Sequence, residues 1–144
     1  MKLRHTSLLT AILALPLPLF AVEQQDLVGT WYSEREDSGE RLKRLIRRDA
    51  DNNYAELLLI CDGMNVSWVQ KELGHWHISA DNAFDVVMIS REDMHGKKSA
   101  DPAHATARYI NVEREGNHLT YEQRDKGNKF RFERVDDGYQ IRCE

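Results

Sequence analysis

Cysteine is scarce in this chain, with two among 144 residues, Cys61 and Cys143. They lack the Cys-x-x-Cys spacing of a redox dithiol, and no Cys/His spacing of a zinc site accompanies them. Proline is nearly as rare, at three residues, and no apolar run reaches the ~20 residues that a bilayer span needs. The sequence has no His-Glu-x-x-His, no Gly-x-Ser-x-Gly and no glycine-rich phosphate loop; Asp62-Gly63 and Asp137-Gly138 read as turns. Acidic residues are plentiful, but no spacing marks a general acid/base couple. These absences point to a non-enzyme without a cofactor. Positive charge is also in deficit, 20 Lys+Arg against 24 Asp+Glu, for a net charge of −4. That balance argues against nucleic acid or an anionic membrane surface as the partner.

The chain starts with the parts of a secretory signal peptide. Lys2 and Arg4 form a basic start, an apolar stretch over 8–20 is broken by Pro16 and Pro18, and Ala21 stands at a cleavage point. The expected division is a signal peptide over 1–21 and a single domain over 22–144. No cysteine sits at the cleavage point, so a lipid anchor is not expected. Removing the leader leaves 123 residues and moves the net charge from −4 to −6. The expected location is periplasmic or secreted, with no stable membrane insertion. In an oxidising compartment the two cysteines imply one disulfide, Cys61–Cys143. It would close a separation of 82 residues and contribute on the order of 4 kcal/mol by chain-entropy arithmetic.

Strand signals fill the mature segment. Strands are expected over 31–35, 41–48, 54–61, 65–79, 84–91, 105–113, 119–123, 130–135 and 139–143, with Asn, Asp and Gly clusters between them. The apolar spacing of Leu42, Leu45 and Ile46 also suits a short helix, but the turn signal over 49–53 favours a hairpin. Gly74 is expected to bend or bulge its strand. The stretch 93–104 lacks periodicity and is expected to be the longest loop, a mouth or lid candidate. Successive hairpins favour an all-β fold, an up-and-down antiparallel barrel of about 8–9 strands, because closure removes exposed edges.

The opening Leu27-Val28-Gly29-Thr30-Trp31-Tyr32 resembles that of the calycins: lipocalins, fatty-acid-binding proteins and avidins. The nearest description is a small bacterial lipocalin-like periplasmic protein. The resemblance implies that Gly29 permits a tight backbone at the barrel base, that Trp31 plugs the closed end, and that a late-strand Arg packs over it. Arg131, Arg134 and Arg142 are the candidates, with Arg134 preferred. The chain departs from fatty-acid-binding proteins in two ways: it has no room for a helical lid between the first two strands, and it lacks a C-terminal Arg-x-Tyr.

A ligand-binding barrel would draw its wall from the aromatics, and Trp68, Trp76, Tyr109 and Tyr121 are the candidates. The same rings could fill the interior instead. A hollow interior favours a small apolar or amphipathic ligand. A filled one favours a surface-acting protein, such as a hydrolase inhibitor or toxin-neutralising protein with a periplasmic partner. His75 and His77 share a strand face and would hold a metal only if His95 or His104 converged on them. The basic run Arg41, Lys43, Arg44, Arg47 and Arg48 reads either as an anion or headgroup contact or as cross-strand pairing with Glu34, Glu36 or Glu56.

Overall fold

The alternation of apolar and polar residues along each strand is carried by a closed sheet. The computed structural model describes residues 21–99 and 105–144. A single helical turn, α1 (Gln24–Leu27), precedes β1 (Gly29–Asp37), β2 (Glu40–Arg48), β3 (Asn53–Asp62), β4 (Asn65–Ala80), β5 (Ala83–Asp93), β6 (Gly96–Ser99), β7 (Thr106–Glu115), β8 (His118–Gln123) and β9 (Lys129–Val135). All pairings are antiparallel between chain neighbours, apart from β5–β7 and the β1–β9 seam that closes the ring. The result is an eight-stranded up-and-down barrel, with β6 added as a hairpin arm on the far end of β5.

Two expectations need correction. The stretch 93–104 does not start as a loop: β5 runs to Asp93, and Gly96–Ser99 turns back to pair with it. Polar residues on both arms hid that hairpin, which extends past the barrel wall and has no dry face to impose a pattern. Residues 100–104, including Asp101 and His104, lie outside the described residues. The segment 139–143 is not a strand. It crosses the outer face of β1 and β2, and side chains rather than a ladder hold the tail there. Lys43 Nζ donates to the Arg142 carbonyl at 2.8 Å, and Arg41 and Arg47 donate to the carbonyls of Glu144 and Asp137. The Cys61–Cys143 disulfide fastens this tail to β3.

One end of the barrel is packed solid. Leu27, Trp31, Trp76, Phe84, Leu119 and Phe132 are all buried there in one cluster. The Trp31 indole donates Nε1–H to the Leu27 carbonyl at 2.9 Å, which ties α1 across the base. Arg134 lies 5.7 Å from the indole and Arg114 4.9 Å. The late-strand Arg is therefore joined by a second cation from β7, whose Nη1 also donates to the Asp26 carbonyl at 3.0 Å. Each such contact is worth ~0.5–2 kcal/mol, more when desolvated. Gly29 has φ +132°, and a Cβ there would sit 3.0 Å from the Arg134 guanidinium, so the glycine admits that Arg. Gly74 lies at a register shift in the β4–β5 pairing. A Cβ there would stand 2.0 Å from the Val87 carbonyl oxygen and 2.6 Å from the Tyr54 ring, so the bulge requires glycine.

Two outcomes follow. Cys143→Ser should retain the β-sheet circular dichroism spectrum while losing up to about 4 kcal/mol in urea titrations. Trp31→Ala should lose about 3–5 kcal/mol in the same titrations, the range for deleting a large buried aromatic.

Candidate functional site: the barrel cavity

Period-two alternation divides the basic run of β2 between the two faces of the wall. Arg41, Lys43 and Arg47 point outward and hold the C-terminal tail; Lys43 also lies 3.8 Å from Glu34. Arg44, Ile46 and Arg48 point inward. From β3 the inward residues are Tyr54 and Glu56, from β4 Gln70 and Glu72, and from β8 Tyr121 and Gln123. Together with Val86, Met88, Arg91, Ala107, Tyr109 and Phe130 they enclose a cavity of about 470 Å³ above the packed base. Arg35, Asp125, Lys126 and Asn128 stand at its mouth, opposite the Trp31 end.

The wall carries two half-buried ion pairs. Arg44 meets Glu56 at 3.1 Å. Arg91 donates twice to Glu72 Oε1, at 3.0 and 2.6 Å, and Gln70 adds a third donor at 2.9 Å. Glu56 and Glu72 are direct cross-strand partners. Burial raises the Glu56 carboxyl above the usual carboxylate range, the Arg44 charge opposes the rise, and the Glu72 charge adds to it.

A third guanidinium has no such partner. Arg48 is 3% exposed, and its Nη2 donates to the Tyr121 hydroxyl at 3.1 Å. Its charge lies 4.9 Å from the Phe84 ring and 5.6 Å from the Tyr121 ring. Among the described residues its Nε and Nη1 have no hydrogen-bond partner, and neither does the buried hydroxyl of Tyr54. Burial raises the hydroxyls of Tyr54, Tyr109 and Tyr121 well above the usual phenol range, so all three stay protonated.

Of the four aromatics expected in a ligand wall, Tyr109 and Tyr121 line the cavity. Trp76 is buried in the base, beneath the cavity. Trp68 lies near the far end of β4, its ring 5.5 Å from that of His95. That contact bears on the metal reading. His95 is held seven to nine residues along β4 from His75 and His77, roughly 20–30 Å at strand rise. His77 instead lies 3.7 Å from Asp85. Among the described residues no three His, Cys, Asp or Glu side chains gather into a metal-sized group.

Tyr54, Glu56, Glu72 and Arg91 are cavity residues that the sequence reading did not single out as ligand contacts, and Arg48 was named only within the basic run offered as an anion contact. The parity of Ile46 could have placed Arg44 and Arg48 inside, since a strand sends alternate residues to one face. No protein-family model matches this chain, and neither does any curated protein.

The outer wall supplies a pH prediction. Arg108 donates to both Asp85 oxygens, at 2.7 and 2.8 Å, and this holds the Asp85 carboxyl below the usual range against the opposing effect of burial. The ionised pair therefore adds stability above the unfolded carboxyl's value, and that contribution disappears as the pH falls through the lower folded value. Asp85→Asn should flatten the acid limb of stability between about pH 5 and pH 3 by about 1 kcal/mol, measured by urea titration.

Proposed function

We propose that this chain is an exported, lipocalin-like binding protein that holds a small amphipathic molecule inside its barrel. The observation that carries this reading is the cavity itself. Its volume of about 470 Å³ falls within the range of small-molecule sites, ~300–1,000 Å³. Its walls combine aromatic faces with hydrogen-bonding groups. A sealed base and a wide mouth suit one ligand entering from one end. The disulfide fits an oxidising compartment such as the periplasm, and among the described residues no helix is long and apolar enough to cross a membrane.

The alternative is a protein partner reading the outer wall. Its footing would be the shallow apolar strip of Leu45, Ala55, Leu57 and Leu73, a recess of about 190 Å³. That recess is under half the volume of the interior cavity and presents fewer polar groups to orient a partner, so the interior reading is favoured.

A neutral fluorescent amphiphile, N-phenylnaphthylamine, tests the proposal. Titration should give saturable, blue-shifted emission. Ala107 faces the cavity beside Val86, so Ala107→Trp should fill the space. The expected result is loss of the saturable signal with an unchanged circular dichroism spectrum. Binding that survives Ala107→Trp would assign the probe to the outer wall instead.

A further inference from the structure

We propose that the inner end of the cavity is an oxyanion cradle formed by Arg48, Tyr54 and Tyr121, and that the ligand is a compact organic anion, a carboxylate or phosphate, bound head-first. This rests on the binding reading above and names the chemistry of that same site.

The argument starts from an electrostatic imbalance. Five cations, Arg35, Arg44, Arg48, Arg91 and Lys126, face the cavity or its mouth against three carboxylates, Glu56, Glu72 and Asp125. Arg44 and Arg91 engage Glu56 and Glu72. Of the cations that contact no carboxylate, Arg48 is the one buried inside the barrel, with Glu56 acting on it only without contact. Desolvating a guanidinium without a counter-charge is costly, and breaking up a buried pair is costly for the same reason. The rings of Phe84 and Tyr121 offset part of this cost. They accept no hydrogen bond from Nε or Nη1, and a buried donor without an acceptor carries its own penalty.

The second observation is independent of charge. Tyr54 is the direct cross-strand partner of Arg48, and its buried hydroxyl also has no hydrogen-bond partner among the described residues. Tyr121 accepts from Arg48 and keeps its own hydroxyl proton to donate. β2 and β3 side by side, and β8 across the barrel, thus present donors without a bonded acceptor to the cavity, and the carboxylates of Glu56 and Glu72 act on Arg48 and Tyr54 without bonding to them. An oxyanion supplies the missing charge and acceptors together, as charge-assisted hydrogen bonds do. A neutral or cationic head supplies no countercharge. Arg48 pairs with Gly29 at the base end of β2, whereas Arg35 and Lys126 stand at the mouth. The anion therefore sits deepest, with the body of the ligand against Tyr109 and Phe130. A positive interior in a chain of net charge −4 also draws an anion inward rather than onto the surface.

A matched series of probes tests this by calorimetry or displacement of N-phenylnaphthylamine: naphthylacetate, naphthyl phosphate, naphthylethanol and naphthylethylamine, with inorganic phosphate as a further arm. The anions should bind about tenfold or more tighter than the alcohol, the scale of one hydrogen bond to a charged group. The amine should bind weakest. Arg48→Met should remove that advantage and leave affinity for the alcohol within about twofold. It should also leave the empty protein equally or more stable, because it removes an unpaired buried charge. Tyr54→Phe should lower anion affinity by about threefold to tenfold. In the wild-type protein, the Arg48 Nε–H resonance should shift on adding either anion and not on adding the alcohol, a readout that does not depend on any variant folding. Inorganic phosphate binding as tightly as naphthyl phosphate would support the cradle and assign it to the free ion. Three results would overturn the cradle: equal affinity for alcohol and anions, an anion preference that survives Arg48→Met, or a stationary Nε–H signal. Failure of every probe, the alcohol included, would overturn the binding reading itself.

Discussion

The barrel depends on a narrow seam. β1 and β9 pair through only three positions, Thr30–Val135, Trp31–Arg134 and Tyr32–Glu133. Trp31 stands in the middle of that seam, bonded to α1 and flanked by Arg114 and Arg134, so the residue that closes the ring also seals its base. Beyond Tyr32 the two strands are no longer paired, although β1 continues with β2 as far as Asp37. Arg44 lies over Phe130 at 5.2 Å beside the resulting gap. One seam therefore accounts for both a closed end and an open one.

Closure also determines what the two halves of the interior can contain. At the base the space is filled by Trp31, Trp76, Phe84 and Phe132, and ring contacts continue from Phe84 and Phe132 into Tyr121, Tyr109 and Phe130 of the cavity wall. Above the base many inward positions are charged, and the wall shields those charges partly from bulk water. Arg44–Glu56 and Arg91–Glu72 are compensated pairs. Such pairs are weak stabilisers, since desolvation offsets much of their attraction, but a lone member is expensive. Arg48 lies at the boundary between the aromatic base and the polar cavity.

Much of the fold was legible in the residues. Alternation, turn clusters at regular spacing and the opening Gly29-Thr30-Trp31 indicated an antiparallel barrel, and the cysteine count indicated the disulfide. The bulge at Gly74 was legible because a lone glycine within a long strand has few other uses. The errors arose where no dry face imposed a pattern. β6 belongs to a hairpin exposed on both sides, and the segment 139–143 alternates like a strand but crosses β1 and β2 instead of lying alongside them. Of the site, Tyr109 and Tyr121 were nameable as aromatics on strands. Arg48 was visible only as part of a basic run that alternation divides into an outer and an inner set.

The sequence alone determined most of the strand content and the single disulfide, because period-two patterning, turn chemistry and cysteine count are local or countable properties, while the base tryptophan was marked by the resemblance of the opening. Tertiary structure decided which charges face inward, which of them find partners, and whether aromatic rings fill the interior or line it. Those outcomes depend on distances between residues far apart in the chain. Arg48 meets Phe84 and Tyr121 only because eight strands close into a ring of limited width, and the lack of acceptors for its Nε and Nη1 among the described residues becomes apparent only once every neighbour has been placed.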